Sequence, residues 1–505
     1  MSDENAPTAL LTRRPPPRGV AMAGVATAVF LVILDSAMVN LAGSAIRTGL
    51  GLSAAELTVV VDSYLVTFAG LLLLGGRIAD VLGGRRVFLA GMGVYLAASA
   101  FCALATSGTL LIVGRVGQGL GAAAVMPAAL SLVLALWPSP AERTRAMGIW
   151  GAVAGLGSLV GVFLGGTLTA TLGWQSVFLA PVPFGIVGAL VVWRSLPSAP
   201  GRTREAALSP GPAVPGRTAR VHKPTASGRA GSSLEPGRFD VIGALTITVG
   251  VCALALGTVS ASEAGWAAPG TLLGLGVGLT SLAAFVHAER RSAHPLVPLG
   301  VFRRKPVVTA NLVVLLLGAT LTGLFFFLPQ YQQDVLGMSP LATGTAQLPI
   351  AGTIIVGSVA APLLARRIGL TRALPVSLAV LLAGFLWLVL DPTASGFSLS
   401  LLGAFLLIGS GLGLGLVNAT AMGVRDSAEG ESGLLSGLIN AAQQLGGAVG
   451  LAALAGIAIG ASGTHGDISF SAAFLGEAAL VLIALALSLV PAVRPHPATA
   501  TTGTH

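Results

Sequence analysis

The chain has 505 residues, of which 54% are hydrophobic and only 9% charged, and its formal net charge is +9. A soluble domain covers itself with about 25% charged residues, so this composition excludes a water-soluble fold and places the polypeptide in lipid. The positive balance does not point to nucleic acid, because the basic residues are scattered between long apolar runs and form no patch.

Residues 1–19, with Pro15, Pro16 and Pro17, read as a cytosolic tail. The apolar run from Val20 to Leu41 that follows is longer than the 7–15 residues of a secretory h-region, so it is expected to stay in the protein as the first span. An α-helical span takes about 20 mainly apolar residues. Fourteen segments qualify, at about 20–41, 57–75, 87–106, 109–136, 147–171, 174–193, 240–260, 270–288, 308–329, 341–365, 373–390, 397–420, 433–459 and 470–491. None alternates, and all exceed the roughly 10 residues of a barrel strand, so helix is predicted throughout. Between the sixth and seventh spans, residues 194–239 are rich in Pro, Gly, Ser and Arg and read as a basic, disordered cytosolic linker. Its arginines suit a tether facing anionic headgroups. The expected organisation is therefore a six-helix half (20–193), the linker, an extra helix pair (240–288), a cytosolic loop (289–307), a second six-helix half (308–491) and a cytosolic tail (492–505).

With a cytosolic N-terminus, every one of the 28 lysines and arginines except Arg47 and Arg115 falls on the inner side. That is the positive-inside pattern, and an odd number of spans would destroy it over half the chain. Cys102 and Cys252 sit in apolar runs and supply neither a disulfide framework nor metal-ligand spacing, so both read as packing residues.

Ionisable groups within spans are costly and are functional candidates by default. Asp35, Asp62, Arg115 and Glu477 are the four. Asp35 lies roughly 9 Å from the outer end of its span, Asp62 roughly 8 Å and Arg115 roughly 9 Å at the helical rise. Two carboxylates and one guanidinium are thus expected at one level of the membrane. A carboxylate held between burial, which disfavours its charge, and an arginine, which favours it, can take up and release a proton as its surroundings change. A static ion pair fixing helices is the alternative. Glu477 has no evident partner in sequence and reads as a structural residue or a second proton site. Glu429 and Glu431 read as helix-start carboxylates at the positive end of a helix dipole.

Between the second and third spans the chain runs Gly76-Arg77-Ile78-Ala79-Asp80-Val81-Leu82-Gly83-Gly84-Arg85-Arg86. This resembles the G-x-x-x-D-x-x-G-x-[R/K] signature of the major facilitator superfamily. Leu34-Asp35-Ser36-Ala37-Met38-Val39-Asn40, Val61-Asp62-Ser63-Tyr64 and Arg115-Val116-Gly117-Gln118-Gly119 resemble the first-, second- and fourth-span motifs of its fourteen-span drug:proton antiporters. Gly151 to Gly166 is similar to the fifth-span antiporter motif, with Gly157, Gly161, Gly165 and Gly166 on one stretch and Val162 where the family has proline. Arg366-Arg367-Ile368-Gly369 is a worn copy of the first signature in the second half, as two halves related by an axis normal to the membrane require.

The resemblance implies an all-α major facilitator fold, proton-coupled export of hydrophobic or amphipathic small molecules, and alternating access. It implies proton coupling at Asp35, Asp62 and Arg115, and a conformational latch at Gly76, Asp80, Gly83, Arg85 and Arg86. A substrate cavity is expected to include Met38, Gln118, Met126, Phe326 and Gln444. The proton gradient drives the cycle without a cofactor, and the expected partners are the substrate, protons and lipid, with the chain acting as a monomer in a bacterial cell membrane. An importer or exporter of one specific metabolite is the alternative. No nucleotide-binding loop, His-x-Asp cluster or metal spacing supports an enzyme.

Overall fold

A computed structural model of the chain describes residues 18–137, 140–196, 241–265, 267–292, 299–390, 399–425, 432–461 and 468–490. The tails, most of the 194–239 linker, and Glu429 and Glu431 lie outside these. Among the described residues there is no strand.

Six helices form the first half: α1 (Arg18–Leu50), α2 (Ala54–Leu82), α3 (Gly84–Ala103), α4 (Gly108–Leu136), α5 (Pro140–Leu172) and α6 (Ser176–Ser195, stepped at Ala180). The pair α7 (Val241–Ala264) and α8 (Pro269–Arg291) follows. The second half is α9 (Lys305–Val335), α10 (Pro340–Ile368), α11 (Leu370–Leu390), α12 (Leu399–Val424), α13 (Ser432–Gly460) and α14 (Phe470–Leu489). Thirteen of these are long and apolar enough to cross a membrane, and α7, whose apolar stretch Leu245–Thr258 is shorter, packs along α8 as the fourteenth.

Several helices run past the apolar segments that mark them in the sequence. Hydropathy reports where the lipid begins, whereas the helix continues until its backbone donors find a cap. For α2 that cap is Ser53, which accepts from the Glu56 N–H at 3.2 Å while Glu56 accepts from the Ser53 N–H at 2.7 Å. This reciprocal box moves the start of α2 to Ala54. Ser107, Ser339 and Ser469 cap α4, α10 and α14 one way only, each hydroxyl accepting from the backbone N–H three residues on.

The halves repeat one packing scheme. In the first, α2 and α3 both pack on α4, α5 and α6 both pack on α1, and α3 touches α6. In the second, α10 and α11 pack on α12, α13 and α14 pack on α9, and α11 touches α14. Helices eight apart in the series therefore play equal roles, which is a parallel repeat. The pair α7–α8 lies against α2 and α13, and Thr248 of α7 donates to the Gly70 carbonyl of α2 at 2.6 Å. The largest buried cluster crosses from α1, α2 and α5 into α9 and α11–α14. On the outside, large apolar side chains such as Phe184, Val359 and Leu273 are exposed, as a lipid-facing surface requires.

Candidate functional site

Four helices of the first half converge on a buried ionic network. Arg115 and Gln118 are three residues apart on α4 and therefore share a face. Arg115 Nη1 donates to Asp35 Oδ2 of α1 at 2.9 Å and to Gln118 Oε1 at 2.8 Å. Gln118 Nε2 in turn donates to Asp35 Oδ1 at 3.1 Å and to Ser99 Oγ of α3 at 2.8 Å. The guanidinium also lies over the Tyr64 ring of α2, 4.3 Å from its centroid, within cation–π range. Arg115 is 1% exposed, and Asp35, Gln118 and Ser99 are fully buried. Each carboxylate oxygen of Asp35 thus has one donor, so the pair is both neutralised and hydrogen-bonded, as a buried charge must be.

Missing side chains let the helices approach this closely. A Cβ on Gly119 of α4 would lie 2.7 Å from the Tyr64 carbonyl, and one on Gly121 would lie 2.6 Å from the Tyr95 amide nitrogen. Behind Asp35, Gly157, Gly161 and Gly165 place α5 against α1. Their absent Cβ atoms would meet Phe30 O at 2.9 Å, Leu34 O at 2.8 Å and Met38 Cα at 2.9 Å. Gly166 faces Leu41 on the same helix and also the Pro340 carbonyl at 2.5 Å, across the seam on α10. Small residues at every fourth position are the general means of close approach between spanning helices. One face of α5 therefore touches the helix that carries Asp35 and, at its end, the opposite half. Val162, where the resembled motif has proline, is buried.

Asp62, expected at the same level of the membrane as Asp35 and Arg115, does not join their hydrogen-bonded network. It is 2% exposed, and neither carboxylate oxygen has a hydrogen-bond partner. It lies two positions before Tyr64, more than half a helical turn round, so it points away from Arg115. One turn on, Val66 packs on Ala448 of α13, which puts Asp62 on the face of α2 directed at the other half. Equal depth in the membrane fixes height and leaves the direction around the helix axis open. Glu477 of α14 is likewise fully buried with both oxygens unpartnered, and its Oε1 would lie 2.7 Å from a Cβ on Gly323 of α9.

At the α2–α3 turn, Gly83 has φ +92°, a conformation that L side chains rarely adopt. Arg85 Nη2 donates to the Trp193 carbonyl at 2.7 Å and so ties the start of α3 to the end of α6. Arg86 is exposed. The side chain of Asp80 lies outside the described residues. Gly75 has no room for a Cβ, which would strike the Ala123 carbonyl of α4, and one on Gly84 would lie 2.6 Å from Ser131 Oγ. Gly76, by contrast, meets only Pro127 Cβ at 3.6 Å.

Of the five residues expected to line a cavity, three are buried among their neighbours. Gln118 belongs to the ionic network, Phe326 is buried edge-to-face on Phe327 at 5.0 Å, and Met38 is buried beneath Gly165. Met126 and Gln444 are half-buried, Met126 against the core of the first half. Cys102 and Cys252 are free thiols, with Cys102 Sγ 3.7 Å from Gln118 Oε1. Sequence reasoning missed Ser99 as a member of the network and missed the pairing of Arg47 with Asp334. No periodicity reports either, because both depend on which helices are neighbours. Among the described residues no group of three metal-ligating side chains comes together.

The Major Facilitator Superfamily model matches residues 25–451. A cephamycin export protein of Amycolatopsis lactamdurans is 35% identical over 475 residues, covering 93% of this chain and 91% of the relative. A puromycin resistance protein of Streptomyces alboniger is 36% identical, covering 89% of this chain and 84% of its own. Among solved structures, a transporter of the POT family superposes with a TM-score of 0.63 at 16% identity, covering 94% of this chain and 97% of that one.

Proposed function

The chain belongs to the Major Facilitator Superfamily, and from that premise we propose that it is a proton-coupled exporter of antibiotic-like small molecules. It is a multi-pass membrane protein and a transporter, and the names of its relatives support drug efflux: cephamycin export, puromycin resistance, and tetracenomycin C resistance and export. We place it in a bacterial cell membrane with the basic loops and both termini in the cytoplasm, a reading that the distribution of arginine supports. No catalytic step is assigned to it, nor any cofactor.

The observation that carries the proton assignment is the buried Asp35–Arg115 pair. In a dry site the carboxylate is tolerated because the guanidinium and the Gln118 amide both donate to it. A proton on Asp35 cancels that charge, breaks at least one of the two bonds and leaves Arg115 with Gln118 Oε1 and the Tyr64 ring. The relative positions of α1 and α4 that suit the ion pair then no longer suit the neutral acid. Because α5 lies on α1 through its glycine face and on α10 at Gly166, movement of α1 is passed to the seam between the halves. Proton binding and the inward–outward equilibrium are therefore linked, and each can shift the other only by the difference in proton affinity between the two states.

Efflux of a lipophilic dye from energised cells tests this reading. Wild-type extrusion is expected to stop with an uncoupler and in Asp35→Asn. Efflux that persists in Asp35→Asn sinks Asp35 as the coupling residue and moves that role to Asp62 or Glu477. Everted vesicles, where dye should accumulate on addition of an energy source, distinguish export from import.

A further inference from the structure

A second ionic cluster lies at the face away from the basic loops, and it joins the two halves directly. Arg47, near the end of α1, donates through Nη2 to Asp334 Oδ2 at 2.9 Å, and Ser44 Oγ donates to Asp334 Oδ1 at 2.8 Å. One residue before Asp334, Gln333 Nε2 donates to the Leu41 carbonyl at 3.0 Å. Three bonds thus bridge residues about 290 positions apart, and both oxygens of one carboxylate are engaged. The side chains of Arg47 and Asp334 are 27% and 23% exposed, so the pair sits at the water boundary.

Each helix end is braced from behind by its own half. Gly49 of α1 rests on the Trp174 indole, whose Nε1 would lie 2.7 Å from a Cβ there, and Trp174 stacks edge-on to Phe178. On the other side, Tyr331 packs edge-on to Phe470 and Phe474 of α14, both at 5.7 Å. The bonds therefore connect two stiff rims. Beneath them lies a set of buried polar groups: Gln347 Nε2 donates to Gln332 Oε1 at 2.9 Å, while Gln332 Nε2, Gln347 Oε1 and Thr343 Oγ1 bond to no protein atom. Buried polar atoms left unbonded favour any state that wets them. The closed rim and the polar set therefore pull in opposite directions, as a gate between two states requires.

We propose that Ser44, Arg47 and Asp334 are positioning residues for transport, forming the latch of the outer gate, and that its release admits water to Gln332, Thr343 and Gln347. The inference rests on the orientation and alternation proposed above. It is distinct from the α2–α3 turn, which lies at the opposite face.

The test uses the full chain in intact cells, with Thr343→Cys as reporter and a membrane-impermeant maleimide added outside. Thr343 Oγ1 makes no bond, so the reporter removes none. Labelling is expected to be slow in the otherwise wild-type chain and at least tenfold faster with Asp334→Asn or Arg47→Gln. The double reversal Arg47→Asp with Asp334→Arg should slow it again. Unchanged labelling in the single variants overturns the latch. Faster labelling that the reversal does not slow also overturns it, because the helix ends would then merely have loosened. Dye efflux is followed in the same cells. If the wild type exports nothing while labelling responds as expected, the latch stands and the transport reading fails, so the two failures are distinguishable.

Discussion

In the first half, Gln118 of α4 donates to Ser99 of α3 at 2.8 Å; in the second, Asn418 of α12 donates to Ser377 of α11 at 3.2 Å. The same pair of helices in each repeat is therefore tied by an amide and a hydroxyl. The first bond belongs to a network that holds a buried arginine and aspartate, whereas the second joins neutral groups, with Ser377 Oγ itself donating to the Ala373 carbonyl at 2.7 Å. The buried acid of the second half, Glu477, has no partner of either kind. One packing scheme therefore carries two chemistries. The charge is concentrated where α1 meets α4, and in the proposed cycle the second half supplies the surface that the first half works against.

The widest gap between the halves should appear on removing Asp35. Asp35→Asn leaves the Arg115 guanidinium buried without its counter-ion, and breaking a buried pair in this way costs about 3–5 kcal/mol. Arg115→Gln should cost less, because a carboxylic acid can take a proton whereas a guanidinium cannot shed one. The double variant should recover part of the stability and none of the efflux. Thermal melting of the purified protein, with dye efflux alongside, checks all three, and a double variant no more stable than Asp35→Asn would undo this account of the pair.

Next in size is the glycine face of α5. Gly161→Val places carbon against the Leu34 carbonyl, where a Cβ alone would already be at 2.8 Å. Overpacking of this kind costs about 1–3 kcal/mol. Efflux should fall further than melting does, since α1 is displaced at the residue beside Asp35; equal losses would assign the face to packing alone.

The matched hydroxyls sharpen the comparison more finely. Ser99→Ala and Ser377→Ala each delete one hydrogen bond from an amide, worth about 0.5–1.5 kcal/mol. Stability should therefore drop alike, whereas efflux should drop only in Ser99→Ala. Efflux that falls equally in both variants would make the halves equivalent. Smallest of all is Glu477→Gln, which keeps the shape and removes no bond. Melting and efflux are expected to stay within the effect of an ordinary neutral change, about 0.5 kcal/mol, and a collapse of efflux would give the second half a proton site of its own.

Much of the architecture is legible without coordinates. The apolar runs and the spacing of Gly76, Gly83 and Arg85 point to the approximate number and the class of the helices, because lipid forces every backbone bond to close within its own segment. Asp35 and Arg115 stand out for the same reason: each is a charge in an apolar run, and each must find a partner. The partner itself is less legible. Depth along the axis put Asp62 and Arg115 at one height, yet the helical rotation between Asp62 and Tyr64 turns Asp62 to the other side of α2, towards α13.

The sequence by itself determined what had to be buried and at what height, since hydropathy and helical rise are properties of single segments. Only the tertiary structure decided which buried groups meet. Gln118 joined Asp35 and Ser99, Asp334 met Arg47 across about 290 residues, and Glu477 was left against Gly323. Those outcomes depend on which faces of neighbouring helices are small enough to approach, and that is settled by packing between segments far apart in the chain.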